Sequence, residues 1–264
     1  MEGNLYRMKK YNQTTSFSGE MVQYYDQFFD IENEAPKHIA CMKETFGHAW
    51  DGIQNVLDIG CGTGMHSDLI SKMGKTVTGL DLSSDMVAFA KEHHTNEKTS
   101  FVVDNMCTHK ADKLYDMAFA MSHVIGYQLK NQDLENFLTA VYNSLNEGGY
   151  FYFNFYHEAG LYNGEQSARR SVVTGKDVDI TRFSNASINA MENCLDLDYF
   201  YLIEKKDSDE VTEIAISEKM RFFSALELEY YLEKIGFTVE KVVDFKTVEP
   251  LNAGHWNGVI LAKK

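Results

Sequence analysis

An α/β fold built on a doubly wound, mostly parallel sheet is what this sequence predicts, and three observations predict it. Short apolar, β-branched runs alternate with helix-length amphipathic segments over the first 155 residues, the rhythm of strand–helix–strand units. Those runs are continuous rather than alternating, as in strands covered on both faces. A glycine-rich loop, Gly60-Cys-Gly-Thr-Gly64, follows the first of them directly.

The strands are expected at 55–59, 76–81, 100–104, 116–121 and 150–155, with helices at 66–73, 84–93 and 133–145. The last helix carries Leu134, Phe137, Leu138, Val141, Tyr142 and Leu145, the spacing of one buried face. Before the first strand, Tyr24-Tyr-Asp-Gln-Phe-Phe29 reads as an aromatic helix that must bury its rings. Residues 159–168, with Gly160 and Gly164, read as a loop. Residues 177–221 then alternate with period two, which predicts a three-stranded antiparallel insertion with turns near 185–189 and 205–210. Leu195, Leu197, Tyr199, Tyr201 and Ile203 share one face of it, and Thr212, Ile214, Ile216 and Met220 continue the pattern. Ser224 and Glu227 have capping-box spacing at the start of a helix that runs to Ile235 and stops at Gly236. Strands at 238–245 and 257–262 close a seven-stranded sheet in a single domain, 1–264.

Composition narrows the function. Lys and Arg number 25 against 39 Asp and Glu, a net charge of −14, which repels phosphate backbones and anionic lipid. No nucleic-acid or membrane partner is expected. No run approaches the ~18 apolar residues of a membrane span. The N-terminal segment lacks the apolar core of a signal peptide. The four cysteines, Cys41, Cys61, Cys107 and Cys194, have neither CxxC nor zinc-site spacing. Free thiols, a cytoplasmic location and no metal site are the expectations.

The most informative segment runs from Asn55 to Gly64, NVLDIGCGTG. Asp58 lies inside the strand, and Gly60, Gly62 and Gly64 form the loop. The next strand ends at Asp81, 19 residues after Gly62, where an acid can accept from ribose hydroxyls. Loop and acid together point to a nucleoside ligand at the carboxyl edge of the sheet. A dinucleotide fingerprint needs a third glycine that neither Met65 nor Ser67 supplies. The bland alternative, a tight turn in some α/β protein, does not account for both acids.

At these residues the chain resembles class I S-adenosylmethionine-dependent methyltransferases, which are Rossmann-like. DIGCGTG at 58–64, GLDLS at 79–83, DNM at 104–106 and EGGYFYFNF at 147–155 carry the resemblance. Within the class, Gly62-Thr-Gly-Met-His66 and the segment Ser122–Leu129 are similar to small-molecule, amino-sugar-type N-methyltransferases. The resemblance implies S-adenosyl-L-methionine as cofactor and a small-molecule acceptor. It implies that the loop from Gly60 through Cys61 and Gly62 to Gly64, with His66 behind it, faces the methionine part. It implies Asp81 on the ribose, and Leu82 with Met86 near the adenine. Asp104, Asn105 and Met106 fall at the adenine edge, and Met121 and Ser122 under the sulfonium. Tyr25, in the aromatic helix, becomes part of a lid. The chain departs from the family pattern at Asn154, where an acid is usual, and at Gly254-His-Trp-Asn-Gly258, where a final turn usually contains arginine.

Methyl transfer needs mainly proximity and alignment, and a base only for a protonated nucleophile. His123 and Tyr127, just past the fourth strand, are the catalytic candidates; Tyr156, His157 and His255 also reach the carboxyl edge. A structural histidine bonded to backbone is the alternative for His123. The insertion is expected to roof the acceptor pocket and contribute to a homodimer. N-methylation of a small amine is the leading reading. Methylation of a hydroxyl, and a cofactor-binding module without catalysis, are its rivals.

Overall fold

The computed structural model describes residues 7–13, 17–164 and 168–264. The chain runs through β1 (Arg7–Gln13), α1 (Tyr25–Phe28) and α2 (Ile31–Phe46) into β2 (Asn55–Ile59), α3 (Met65–Lys72), β3 (Thr76–Asp81) and α4 (Ser84–His94). β4 (Thr99–Val103), β5 (Tyr115–Ala120), α5 (Asn131–Ser144), β6 (Leu145–Tyr156) and the short α6 (Glu158–Asn163) follow. β7 (Arg169–Thr174), β8 (Val178–Asn189), β9 (Cys194–Lys205) and β10 (Glu210–Arg221) come next, then α7 (Ala225–Ile235), β11 (Thr238–Asp244) and β12 (Asn257–Lys263).

Seven strands form the main sheet in the order β11-β12-β6-β5-β2-β3-β4. β2 pairs in parallel with both β3 and β5, so the strand order reverses between β2 and β5. That reversal opens a crevice at the carboxyl edge. β12 runs antiparallel to β6 and β11, as expected of the closing strand. Both faces are covered. Phe151 and Phe153 pack in the core beneath α5 and α7, while Tyr152 belongs to the opposite core with Ile39, Met42 and Phe46 of α2. Each such side chain, fully buried, contributes about 1.5–3 kcal/mol.

α7 begins as its sequence dictates: Ser224 Oγ accepts from the Glu227 backbone N–H at 3.1 Å. The Glu227 carboxylate turns to Arg221 instead of closing the capping box. Gly236, at φ 119°, ends the helix in the left-handed region.

Three expectations need correction. The second sheet has five strands, not three, in the order β1-β10-β9-β8-β7. β7 extends one edge, and β1 pairs in parallel with β10 from Arg7↔Glu210 to Gln13↔Ile216. The first turn falls after Asn189, not at 185–189; Asn185 stays in the strand, paired with Asp198 of β9, and Asn193, at φ 52°, makes the turn. The stretch from 159 is helical through Asn163 rather than a loop.

Candidate active site

β2 delivers the chain into the glycine loop, and the end of β3 holds that loop in place. The backbone N–H groups of Gly60 and Cys61 both donate to the Leu80 carbonyl, at 2.7 and 3.0 Å. Gly60 sits at φ 70°, and a Cβ there would stand 2.5 Å from Val124. Only glycine lets the loop pass so close to the segment after β5. Asp81 closes the ring: its Oδ2 accepts from Gly62 N at 2.9 Å and its Oδ1 from Ser83 N at 2.8 Å. Burial pushes its carboxyl above the usual carboxylate range, and these backbone donors work against that rise.

Asp58 braces the loop from behind. It accepts from Ser67 Oγ at 2.7 Å, and burial raises its pKa to about 7. His66 does the same on the α2 side, its Nε2 meeting His38 Nδ1 at 3.0 Å. Met86 has no accessible surface, and Met106 is packed in the core at the end of the Asp104 turn. Leu82, by contrast, is 72% exposed beside Asp81. Asp104 pairs with His109 at 2.7 Å and also accepts from Asn105 N.

Past β5 the backbone is strained. Ser122 and His123 adopt φ 57° and 61°, left-handed values for consecutive non-glycine residues, at a cost of about 1–3 kcal/mol each. Three hydrogen bonds hold this turn. His123 N donates to Asn154 Oδ1 at 3.0 Å, Asn154 Nδ2 donates to Asn257 Oδ1 at 3.1 Å, and His123 Nε2 reaches the same oxygen at 3.1 Å. The chain of donors leaves the proton on Nε2 and the lone pair on Nδ1. The ring also stacks on Tyr156 at 3.8 Å. Burial pushes the His123 pKa down to about 3, so the imidazole is neutral and weakly basic.

A cavity of about 590 Å³ opens beyond this turn. Met121, Ser122, His123, Tyr127 and Tyr156 line its floor, and Arg182, Leu197, Tyr199, Glu218 and Met220 of the second sheet line its roof. Tyr25 and Phe29 lie at its side. The insertion therefore roofs the cavity beside the carboxyl edge. Tyr127 donates to Glu218 Oε2 at 3.1 Å. Gly126 does not loosen the turn as its sequence position suggests; it admits the Arg221 carbonyl, which a Cβ would meet at 3.0 Å.

The chain around α1 straps these parts together. Ser83 Oγ donates to the Phe17 carbonyl, Gly19 N to Asp85 at 2.9 Å, and Thr63 Oγ1 to Asp26 at 2.5 Å. Phe28 packs edge-on to Tyr201 of β9 at 4.9 Å. His157 and His255 stand apart from the cavity lining: His157 Nδ1 meets the His255 carbonyl at 2.8 Å, a structural tie. Residue patterns singled out neither Asn257 nor the pair Arg182 and Glu218. The last two were detectable, because each is a charge at an inward position of a mostly apolar strand face.

An open α/β sheet with a glycine loop and a strand-end acid at its switch point defines a nucleoside-binding protein. The methyltransferase domain family matches residues 56–149. A Geobacillus sp. (strain WCH70) protein named "putative methyltransferase" is 22% identical over 86% of this chain and 92% of its own length. The malonyl-[acyl-carrier protein] O-methyltransferase of Pectobacterium atrosepticum is 35% identical, over 30% of each chain. Among solved structures, an S-adenosylmethionine-dependent methyltransferase from Clostridium acetobutylicum superposes with a TM-score of 0.77 at 16% identity, covering 92% of this chain and 97% of that one. The sugar N-methyltransferase KedS8 from Streptoalloteichus sp. gives 0.71 at 18% identity, covering 94% and 96%. Residues 56–149 thus form a methyltransferase domain, and the chain as a whole has the fold of class I S-adenosylmethionine-dependent methyltransferases.

The residues present fit that cofactor. Gly62 has open space where a Cβ would stand, Asp81 is fixed by two backbone donors, and Leu82 offers an uncovered apolar face beside it. No helix among the described residues is long and apolar enough to cross a membrane.

Proposed function

We propose that the cavity takes a small-molecule amine and that the enzyme methylates its nitrogen. When bound, S-adenosylmethionine supplies an activated methyl group on a sulfonium. In this reading the loop Gly60–Gly64 holds the methionine part, Asp81 the ribose, and Leu82 with the Asp104–Met106 turn the adenine. Met121 and Ser122 border the sulfonium, and the Tyr25 strap closes over it. Tyr127 and His123 face the acceptor.

The observation that carries the reading is the state of His123. A hydroxyl must lose its proton as it attacks, and an imidazole whose pKa is about 3 takes that proton poorly. A neutral amine needs no such base. His123 then positions the acceptor, and Tyr127 holds Glu218 toward it. The likeness to a sugar N-methyltransferase spans nearly the whole fold, whereas the O-methyltransferase identities cover between 23% and 50% of the chain. A roofed chamber beside Met121 also favours catalysis over mere cofactor binding. Four unpaired cysteines suit the reducing cytoplasm.

Two measurements test this. Calorimetry should find S-adenosylhomocysteine bound more tightly than NAD, and Asp81→Ala should weaken it about 10- to 150-fold; tighter NAD binding would overturn the assignment. Mass spectrometry after turnover with paired amines and alcohols should find only N-methyl products. An O-methyl product from the alcohols alone would replace the amine reading.

A further inference from the structure

We propose that His109 is a positioning residue for the cofactor's adenine: it fixes the Asp104 carboxylate so that an acceptor site left on that carboxylate meets the exocyclic amine of the base. This rests on the reading of the Asp104–Met106 turn as the adenine site. The ends of β3 and β4 stand side by side. Asp81 pairs with Val103 in register, and the Asp104 backbone N–H donates to the Asp81 carbonyl at 3.0 Å. Strands so paired lie ~4.8 Å apart, so a nucleoside whose ribose sits at Asp81 carries its base toward Asp104. Leu82 and Val103, next to the two acids in the chain, are both exposed. Uncovered apolar surface of this kind is stabilised when a purine face covers it.

The segment after β4 folds back on Asp104. Met106 is buried and anchors it in the core. Asn105 Oδ1 accepts from the Cys107 N–H at 2.9 Å, and the Asn105 carbonyl accepts from the Thr108 N–H at 3.0 Å. This compact turn returns the chain so that the His109 ring meets the Asp104 side chain. His109 Nδ1 lies 2.7 Å from Asp104 Oδ2, and the Asn105 N–H donates to Oδ1 at 2.7 Å. One donor on each oxygen fixes the plane of the carboxylate. An ionised carboxylate accepts about four hydrogen bonds, so each oxygen keeps an acceptor site for a ligand.

The state of both groups follows from this contact. The His109 hydrogen bond is the largest influence on the Asp104 carboxyl and holds it below the usual carboxylate range. The carboxylate is therefore the acceptor, and His109 Nδ1 carries the proton between them. His109 Nε2, by contrast, is buried and meets no hydrogen-bond partner among the described residues. Buried polar atoms are nearly always paired, so the ring sits where one of its nitrogens goes unserved, and what that placement secures is Asp104. An ionised carboxylate only accepts. Held still, it selects a purine with a donor at C6, and the cofactor's exocyclic amine is such a donor. A carboxylate free to rotate at a strand end would lose part of that selectivity to conformational entropy.

The test is calorimetry with two probes, S-adenosylhomocysteine and its 6-deamino analogue, which bears hydrogen in place of the exocyclic amine. The parent protein should bind the first about 10- to 150-fold more tightly, the range for one hydrogen bond to a charged group. His109→Phe keeps a ring and removes the donor. It should weaken S-adenosylhomocysteine about 3- to 10-fold and leave the analogue within about twofold of its parent value, which also shows that the variant is folded. His109→Asn, whose amide nitrogen can stand where Nδ1 does, should restore most of the lost affinity. In an Asp104→Ala background His109→Phe should cost nothing further, because the two residues act as a unit. Equal weakening of both probes by His109→Phe, no weakening of either, or a full further loss in the Asp104→Ala background overturns the inference. Discrimination lost in Asp104→Ala but kept in His109→Phe overturns it and leaves the adenine at Asp104. A parent protein that binds both probes equally overturns the adenine placement as well.

Discussion

His66 is pressed flat against His38 behind the glycine loop, ring planes 4° apart. Burial pushes its pKa from 6.5 down to about 3. The folded value lies below the unfolded one, so the unfolded chain binds more protons between those limits. Stability contributed by this residue is complete above pH 6.5 and is lost as pH falls toward 3, by at most about 1.4 kcal/mol per pH unit. His66→Gln should flatten the fall in urea-unfolding stability across this range; an unchanged slope would place its titration elsewhere. Asp58, raised to about 7, has the opposite slope, which the variant leaves intact. Individual residues differed in how far their patterns exposed them. The loop glycines and Asp81 were legible because each meets a backbone requirement, positive φ or paired N–H donors, that only a few residue types satisfy. Asp58, His66 and Met86 sit beside the same motif, but burial turns them toward the protein. Spacing alone does not report which way a side chain faces.

At the scale of elements, α7 shows local chemistry setting a boundary. Ser224→Ala removes the acceptor for the Glu227 N–H and should lower global stability by about 1 kcal/mol, read from the denaturant midpoint at constant slope. No change would mean that the Arg221–Glu227 pair alone holds the first turn. The α2 helix was hidden from sequence reading. Ile31, Ala35, Ile39, Met42 and Phe46 have helical spacing and are buried together, but Pro36 lies among them and argues locally against a helix. Packing of that face against the sheet outweighs the missing hydrogen bond. β1 was equally hidden, because its partner strand lies some two hundred residues away and no short-range signal marks an edge strand.

The whole molecule is two sheets joined by a strap, with the cavity between them. The stripe from Leu195 to Ile203, expected to seek either the core or another subunit, is covered within the chain by Met21, Phe28, Leu161 and Phe222. A dimer through the second sheet would therefore use its outer face, where Val172, Phe183 and Phe200 are 52%, 42% and 36% exposed. We propose that face as the dimer contact. Light scattering should return about twice the 30.2 kDa chain mass, and Phe183→Asp with Phe200→Asp should return a single chain; a monomer in the parent protein removes the idea. The sequence by itself determined the doubly wound sheet, the glycine loop and the acid that ends the second strand, because these follow from periodicity and from short segments with one stereochemical solution, and the class of cofactor followed from the family resemblance those segments carry. Only the tertiary structure decided the acceptor chamber. Arg182, Glu218, Tyr127 and Asn257 come from separate stretches of the chain, and they converge because strand register and the closing hairpin bring them to one edge. Their meeting is a property of long-range pairing, which no local pattern encodes.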